Sequence, residues 1–86
     1  MNYVFDIAKQ ARNYIDNQPA KVRERLLGHI YRLPAGDVKP LHGMRDCFRL
    51  RVGSFRVVFH MERVSMNEVQ IRIIEVGTRG DIYKDD

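Results

Sequence analysis

Arg49, Arg51 and Arg56 crowd one short stretch of this chain, on either side of Gly53-Ser54. A two-residue connection with glycine first suits a type II′ hairpin turn. Such a turn sets Val52 opposite Phe55, Arg51 opposite Arg56 and Arg49 opposite Val58. Side chains alternate between the faces of a strand. Phe48, Leu50, Val52, Phe55, Val57, Phe59 and Met61 therefore share one apolar face. Cys47, Arg49, Arg51, Arg56, Val58 and His60 share the other.

Two like charges directly opposite one another destabilise a sheet. The nearest acids in sequence, Asp46 and Glu62, belong to the far ends of the two strands. An anion resting on this face would relieve the repulsion. Guanidinium suits phosphate, because its planar fork donates two parallel hydrogen bonds and it stays charged at any relevant pH. On the pattern alone two interpretations stay open. The face binds an anion, or its arginines are solvated or paired with acids from elsewhere in the fold.

The flanking sequence says what must hold this hairpin in place. Residues 2–6 alternate as a short strand. Ala8 to Asn17 carries Ala8, Ala11, Tyr14 and Ile15 at helical spacing, and Asp16-Asn17-Gln18-Pro19 stops it. A second helix is expected from Ala20 to Leu33, with Val22, Leu26, Ile30 and Leu33 as its apolar stripe. Pro34-Ala35-Gly36 ends it. Residues 35–44, with Gly36, Pro40 and Gly43, read as a loop. The hairpin follows, its return strand running from Phe55 to Met61. Glu62 to Asn67 reads as a polar connection and Glu68 to Val76 as a third strand. Gly77-Thr78-Arg79-Gly80 then leads into a tail ending Tyr83-Lys84-Asp85-Asp86. The expected class is α+β: a short N-terminal strand, two helices, then a three-stranded antiparallel meander whose one face the helices cover.

A chain of 86 residues is expected to make one domain, 1–86, near the lower size limit for a single core. Its 44% hydrophobic and 30% charged residues fit a globular protein and argue against disorder. No apolar run is long enough to cross a bilayer, and no secretory signal opens the sequence. Cys47 is the single cysteine, and no Cys/His set has metal-site spacing, so a reducing cytoplasm is the expected compartment and no metal or other cofactor is expected. The net charge of +4, from 15 Lys+Arg against 11 Asp+Glu, suits an anionic partner such as nucleic acid or an acidic protein.

One ordered set of segments goes further. Leu41-His42-Gly43-Met44-Arg45-Asp46-Cys47-Phe48-Arg49-Leu50-Arg51, then Phe55-Arg56-Val57-Val58-Phe59, then Val76-Gly77-Thr78-Arg79, and last Tyr83, resemble the RelE/ParE superfamily of bacterial toxins from toxin–antitoxin pairs. The order of elements agrees over the whole chain. The resemblance implies a RelE-like microbial RNase fold and, for the RelE branch, ribosome-dependent cleavage of messenger RNA in the A site. There the substrate's own 2′-hydroxyl attacks the adjacent phosphate, without metal. It implies catalytic roles for Arg49, Arg51, Arg56, Arg79 and Tyr83. Arg51 and Arg56 would hold the scissile phosphate, Arg79 would face the leaving 5′-oxygen, and Tyr83 would stack on a base or orient the 2′-hydroxyl. His42, His60 and Arg45 are further candidates for RNA contact.

The chain departs from the family where lysine is common, at Arg49 and Arg51. A lysine can lose its proton when its environment favours the neutral form, and an arginine essentially cannot. Electrostatic stabilisation with a weak or solvent base is thus the expectation at Arg49. Histidine accepts protons near neutrality, which makes His42 a candidate base. The expected partners are a cognate antitoxin, the ribosome and messenger RNA. Two alternatives share the fold: a ParE-like inhibitor of DNA gyrase, and an inactive module that binds an antitoxin. The set Arg49, Arg51, Arg56, Arg79 and Tyr83 is complete for the first function and unnecessary for the others.

Overall fold

The structure is a computed structural model that describes residues 1–78. Its elements run β1 (Asn2–Ile7), α1 (Lys9–Asp16), α2 (Ala20–Ile30), β2 (Asp37–Pro40), β3 (Cys47–Val52), β4 (Phe55–Ser65) and β5 (Glu68–Thr78). The five strands form one mixed sheet in the order β1-β5-β4-β3-β2. All neighbours are antiparallel except β1 and β5, which run parallel with Asn2 opposite Glu68 and Ile7 opposite Ile73. The α+β class and the strand–helix–helix–meander order are therefore as expected.

Two elements differ from the expectation. Residues 37–40 are strand β2, not loop, and extend the meander to four strands. Asp37, Val38, Lys39 and Pro40 stand opposite Arg51, Leu50, Arg49 and Phe48. Pro40 has no N–H to give, and β2 lies at the sheet edge, where that loss is tolerated. The second difference is the length of β4, which runs on through Glu62, Arg63 and Val64 to Ser65 before turning at Met66-Asn67. Pairing with β5 holds this polar stretch extended, with Glu62 opposite Gln70 and Arg63 opposite Val69. In α2 the regular helix stops at Ile30. The chain continues in tighter i→i−3 turns, with Arg32 N–H on His29 O and Leu33 N–H on Ile30 O.

The core is the one the hairpin register dictates. Leu50, Val52, Val57 and Phe59 are buried, with Ile71, Ile73 and Val76 from β5, under Ala11 and Ile15 of α1 and Leu26, Ile30 and Leu33 of the second helical segment. Phe48 stacks on Phe59 at 5.5 Å between ring centroids. α1 lies against β5 and α2 against β3, so both helices cover the apolar face. The arginine face is left to the loop that follows β2. There Leu41 makes a second small cluster with Cys47, Val58 and Ile74. Cys47 is buried and unbonded to other cysteine, a packing residue of that patch.

Candidate anion-binding site

Gly53 has φ +60 and Ser54 does not have positive φ, the signature of a type II′ turn. The turn delivers the expected register: Val52 opposite Phe55, Arg51 opposite Arg56, Arg49 opposite Val58 and Cys47 opposite His60. Across the sheet this register builds a transverse row from four strands. Asp37 faces Arg51, Arg51 faces Arg56, and Arg56 faces Gly77.

The arginines are not equivalent. Arg51 is exposed, whereas Arg49 is 4% and Arg56 1% accessible. At Arg49 the structure has pairing with an acid from elsewhere in the fold, one of the interpretations the sequence leaves open. The acid is Asp37. The Arg49 Nη1 donates to the backbone carbonyl of Asp37 at 3.1 Å and to its carboxylate at 3.4 Å. A buried guanidinium is costly unless it is paired, and β2 supplies the partner that sequence proximity did not. Arg51, by contrast, presents its charge to solvent at the hairpin end of this face, directly opposite the buried Arg56.

A cavity of ≈ 210 Å³ opens at that end, lined by Arg51, Gly53, Ser54, Phe55 and Arg56. An anion entering it meets an exposed guanidinium from β3 and a buried one from β4. Burial of Arg56 lowers the local dielectric and strengthens its attraction for a negative group. The lining is suited to holding a phosphate and to stabilising charge that grows on it.

The other sequence candidates lie elsewhere. His42 and Arg45 are exposed on turns before β3, and His60 is half-buried opposite Cys47. Cys47 and Arg51 are the two ends of a span that strand geometry makes roughly 13 Å long. His42, Arg45 and His60 thus cluster at the opposite end from the cavity. The neighbour of His60 on β5 is Arg72, whose guanidinium is tied to Asp6 at 3.0 Å. Arg79 and Tyr83 lie outside the described residues. Among the described residues no group of three or more His, Cys, Asp or Glu could hold a metal ion, and no helix is long and apolar enough to cross a membrane.

The sequence alone did not single out two residues here. Asp37 was hidden in a segment that reads as loop. Arg25 of α2 has no spacing in the sequence that ties it to the hairpin, yet its guanidinium is the nearest group to the space above Gly53. A Cβ added to that glycine would meet Arg25 Nη2 at 3.0 Å.

No family model and no curated protein sequence matches the chain. Solved structures do. The toxin RelE of E. coli, solved free as a double arginine-to-alanine mutant, is 26% identical with a TM-score of 0.68, over 95% of this chain and 88% of that one. The intact E. coli RelBE toxin–antitoxin complex contains a match at 26% identity and a TM-score of 0.65, over 90% of this chain and 96% of that one. The toxin–antitoxin complex RelBE2 from Mycobacterium tuberculosis gives 21% identity and a TM-score of 0.67, over 92% and 100% of the respective chains. The chain has the RelE-like toxin fold.

Proposed function

We propose that this chain is the toxin of a toxin–antitoxin pair and acts as an endoribonuclease on messenger RNA in the ribosomal A site. The structural matches to RelE and to RelBE complexes support a toxin role and an antitoxin partner. The observation that carries the RNase reading is Arg51 directly opposite Arg56 in the lining of a cavity. That arrangement sets two guanidinium groups where a single anion can meet both.

In the proposed reaction the 2′-oxygen of the substrate attacks the adjacent phosphorus. The 2′-O–P bond forms as the P–O5′ bond breaks, leaving a 2′,3′-cyclic phosphate and a 5′-hydroxyl. The 2′-hydroxyl proton passes to solvent or a weak base, and the departing 5′-oxygen takes a proton. Arg51 and Arg56 hold the scissile phosphate and offset the extra charge of the pentacoordinate state. This uses the cations of the chain in place of a metal. Arg49, enclosed by its bonds to Asp37, fixes the edge strand beside Arg51. Arg79 and Tyr83 keep the roles the family resemblance gives them, at the leaving oxygen and at the base or 2′-hydroxyl.

Primer extension on translated messenger RNA tests the proposal. Wild type is expected to give discrete A-site stops, and Arg51→Ala to weaken them strongly while remaining folded by circular dichroism. Intact message with wild type, together with blocked gyrase supercoiling, would instead select the ParE-like alternative.

A further inference from the structure

A third cation stands over the turn beside the cavity, and no part of the reaction above uses it. Arg25 is exposed on α2. Its guanidinium lies over the turn, with Nη2, Nη1 and Cζ at 3.0, 3.2 and 3.4 Å from the place a Gly53 Cβ would occupy. Gly53 is itself part of the cavity lining. Absence of a side chain there is what lets the guanidinium approach, and a positive φ favours glycine at the same position.

Arg25 makes no hydrogen bond or ion pair with the other described residues. Arg23, two positions earlier on the same helix, contrasts with it: its Nη1 donates to the carbonyls of Gln18 and Asp16. Arg23 is spent on the helix start, while the fork of Arg25 is available. A polyanion spanning the turn would meet that fork as well as Arg51 in the cavity lining.

We infer that Arg25 is a second phosphate-binding residue at the rim of this cavity, holding the phosphate next to the scissile one in single-stranded RNA. The inference rests on the endoribonuclease reading and extends its footprint from the sheet onto α2. A strand laid across the hairpin end would place one phosphate against Arg51 and Arg56 and a neighbouring one against Arg25. Arg25 then sets the direction in which RNA leaves the cavity and contributes to substrate affinity rather than to the bond-breaking step.

The test is binding of a short 2′-O-methyl RNA, which cannot supply the nucleophile, to the full chain as a function of salt. Arg25→Gln is the variant, and Arg32→Gln is the control for loss of one exposed helix-side charge outside the cavity lining. Arg25→Gln is expected to weaken binding about tenfold at low salt, the scale of one charge-assisted contact. It should also flatten the slope of log K against log salt by about 0.7, the release associated with one phosphate of a single strand. Arg32→Gln should show neither effect at that size. Wild-type binding with Arg25→Gln and Arg32→Gln indistinguishable would overturn the inference alone. No binding by wild type would also overturn the inference, and intact message in the primer-extension assay would overturn the RNA reading together with it.

Discussion

Arg49 and Arg51 are two residues apart on one strand and share a face, yet they do different work. Arg51 is exposed and lines the cavity; Arg49 is enclosed and bound to Asp37. Their substitutions should therefore separate. Arg51→Ala is expected to change stability by less than about 0.5 kcal/mol, as exposed positions usually do. It should lower cleavage by a factor on the order of 10² to 10³, the scale for losing one preorganised donor to a developing oxyanion. Asp37→Asn should do the reverse. It removes the Asp37 charge beside the Arg49 guanidinium while keeping the bond to the backbone carbonyl, and should cost about 1 kcal/mol in urea unfolding, with a smaller effect on the rate of cutting. Equal effects of both substitutions on unfolding would contradict this division. The alternation and the opposition of Arg51 to Arg56 were legible in the sequence, because a glycine-first two-residue turn fixes register locally. The burial of Arg49 was not, because its counter-charge comes from a different strand.

At the scale of elements, the hairpin was readable and its edges were not. The apolar set from Phe48 to Met61 has the two-residue period of a half-buried strand, and the helices cover that face. Strand β2 escaped notice because Gly36 and Pro40 bracket it and its pairing with β3 is tertiary. The end of β4 escaped notice for a similar reason. Glu62, Arg63 and Ser65 read as loop, and only the facing β5 makes them strand. Parallel pairing of β1 with β5 joins residues more than sixty positions apart and has no local signature. Two substitutions probe these elements by thermal or urea unfolding. Phe59→Ala, at a fully buried position stacked on Phe48, should cost about 3–5 kcal/mol. Gly53→Ala should cost about 1 kcal/mol through its positive φ alone. It should also push the Arg25 guanidinium off the turn. An unchanged midpoint for Gly53→Ala would show that the turn tolerates a side chain.

At the scale of the molecule, the fold divides its labour by sheet face. The helices occupy one face and supply the core. The other face carries a small apolar patch at Leu41, Cys47, Val58 and Ile74, and the cations at the hairpin end. The resemblance to RelE toxins seen in the ordered segments agrees with the matched solved structures in fold and in element order. The candidate base was the least legible part. His42 sits at the other end of β3 from the cavity, and neither Arg49 nor Arg51 is suited to give up a proton. The proposed chemistry therefore leans on a phosphate clamp and on the nucleophile within the RNA itself. The most direct test is a programmed ribosome carrying one 2′-deoxynucleotide at the position of the cut. With an all-ribose message the expected result is cleavage that ends in a cyclic phosphate, and with the deoxy-substituted message no cleavage at that site. Equal cleavage of both messages would contradict the mechanism, and cleavage of neither would contradict the function.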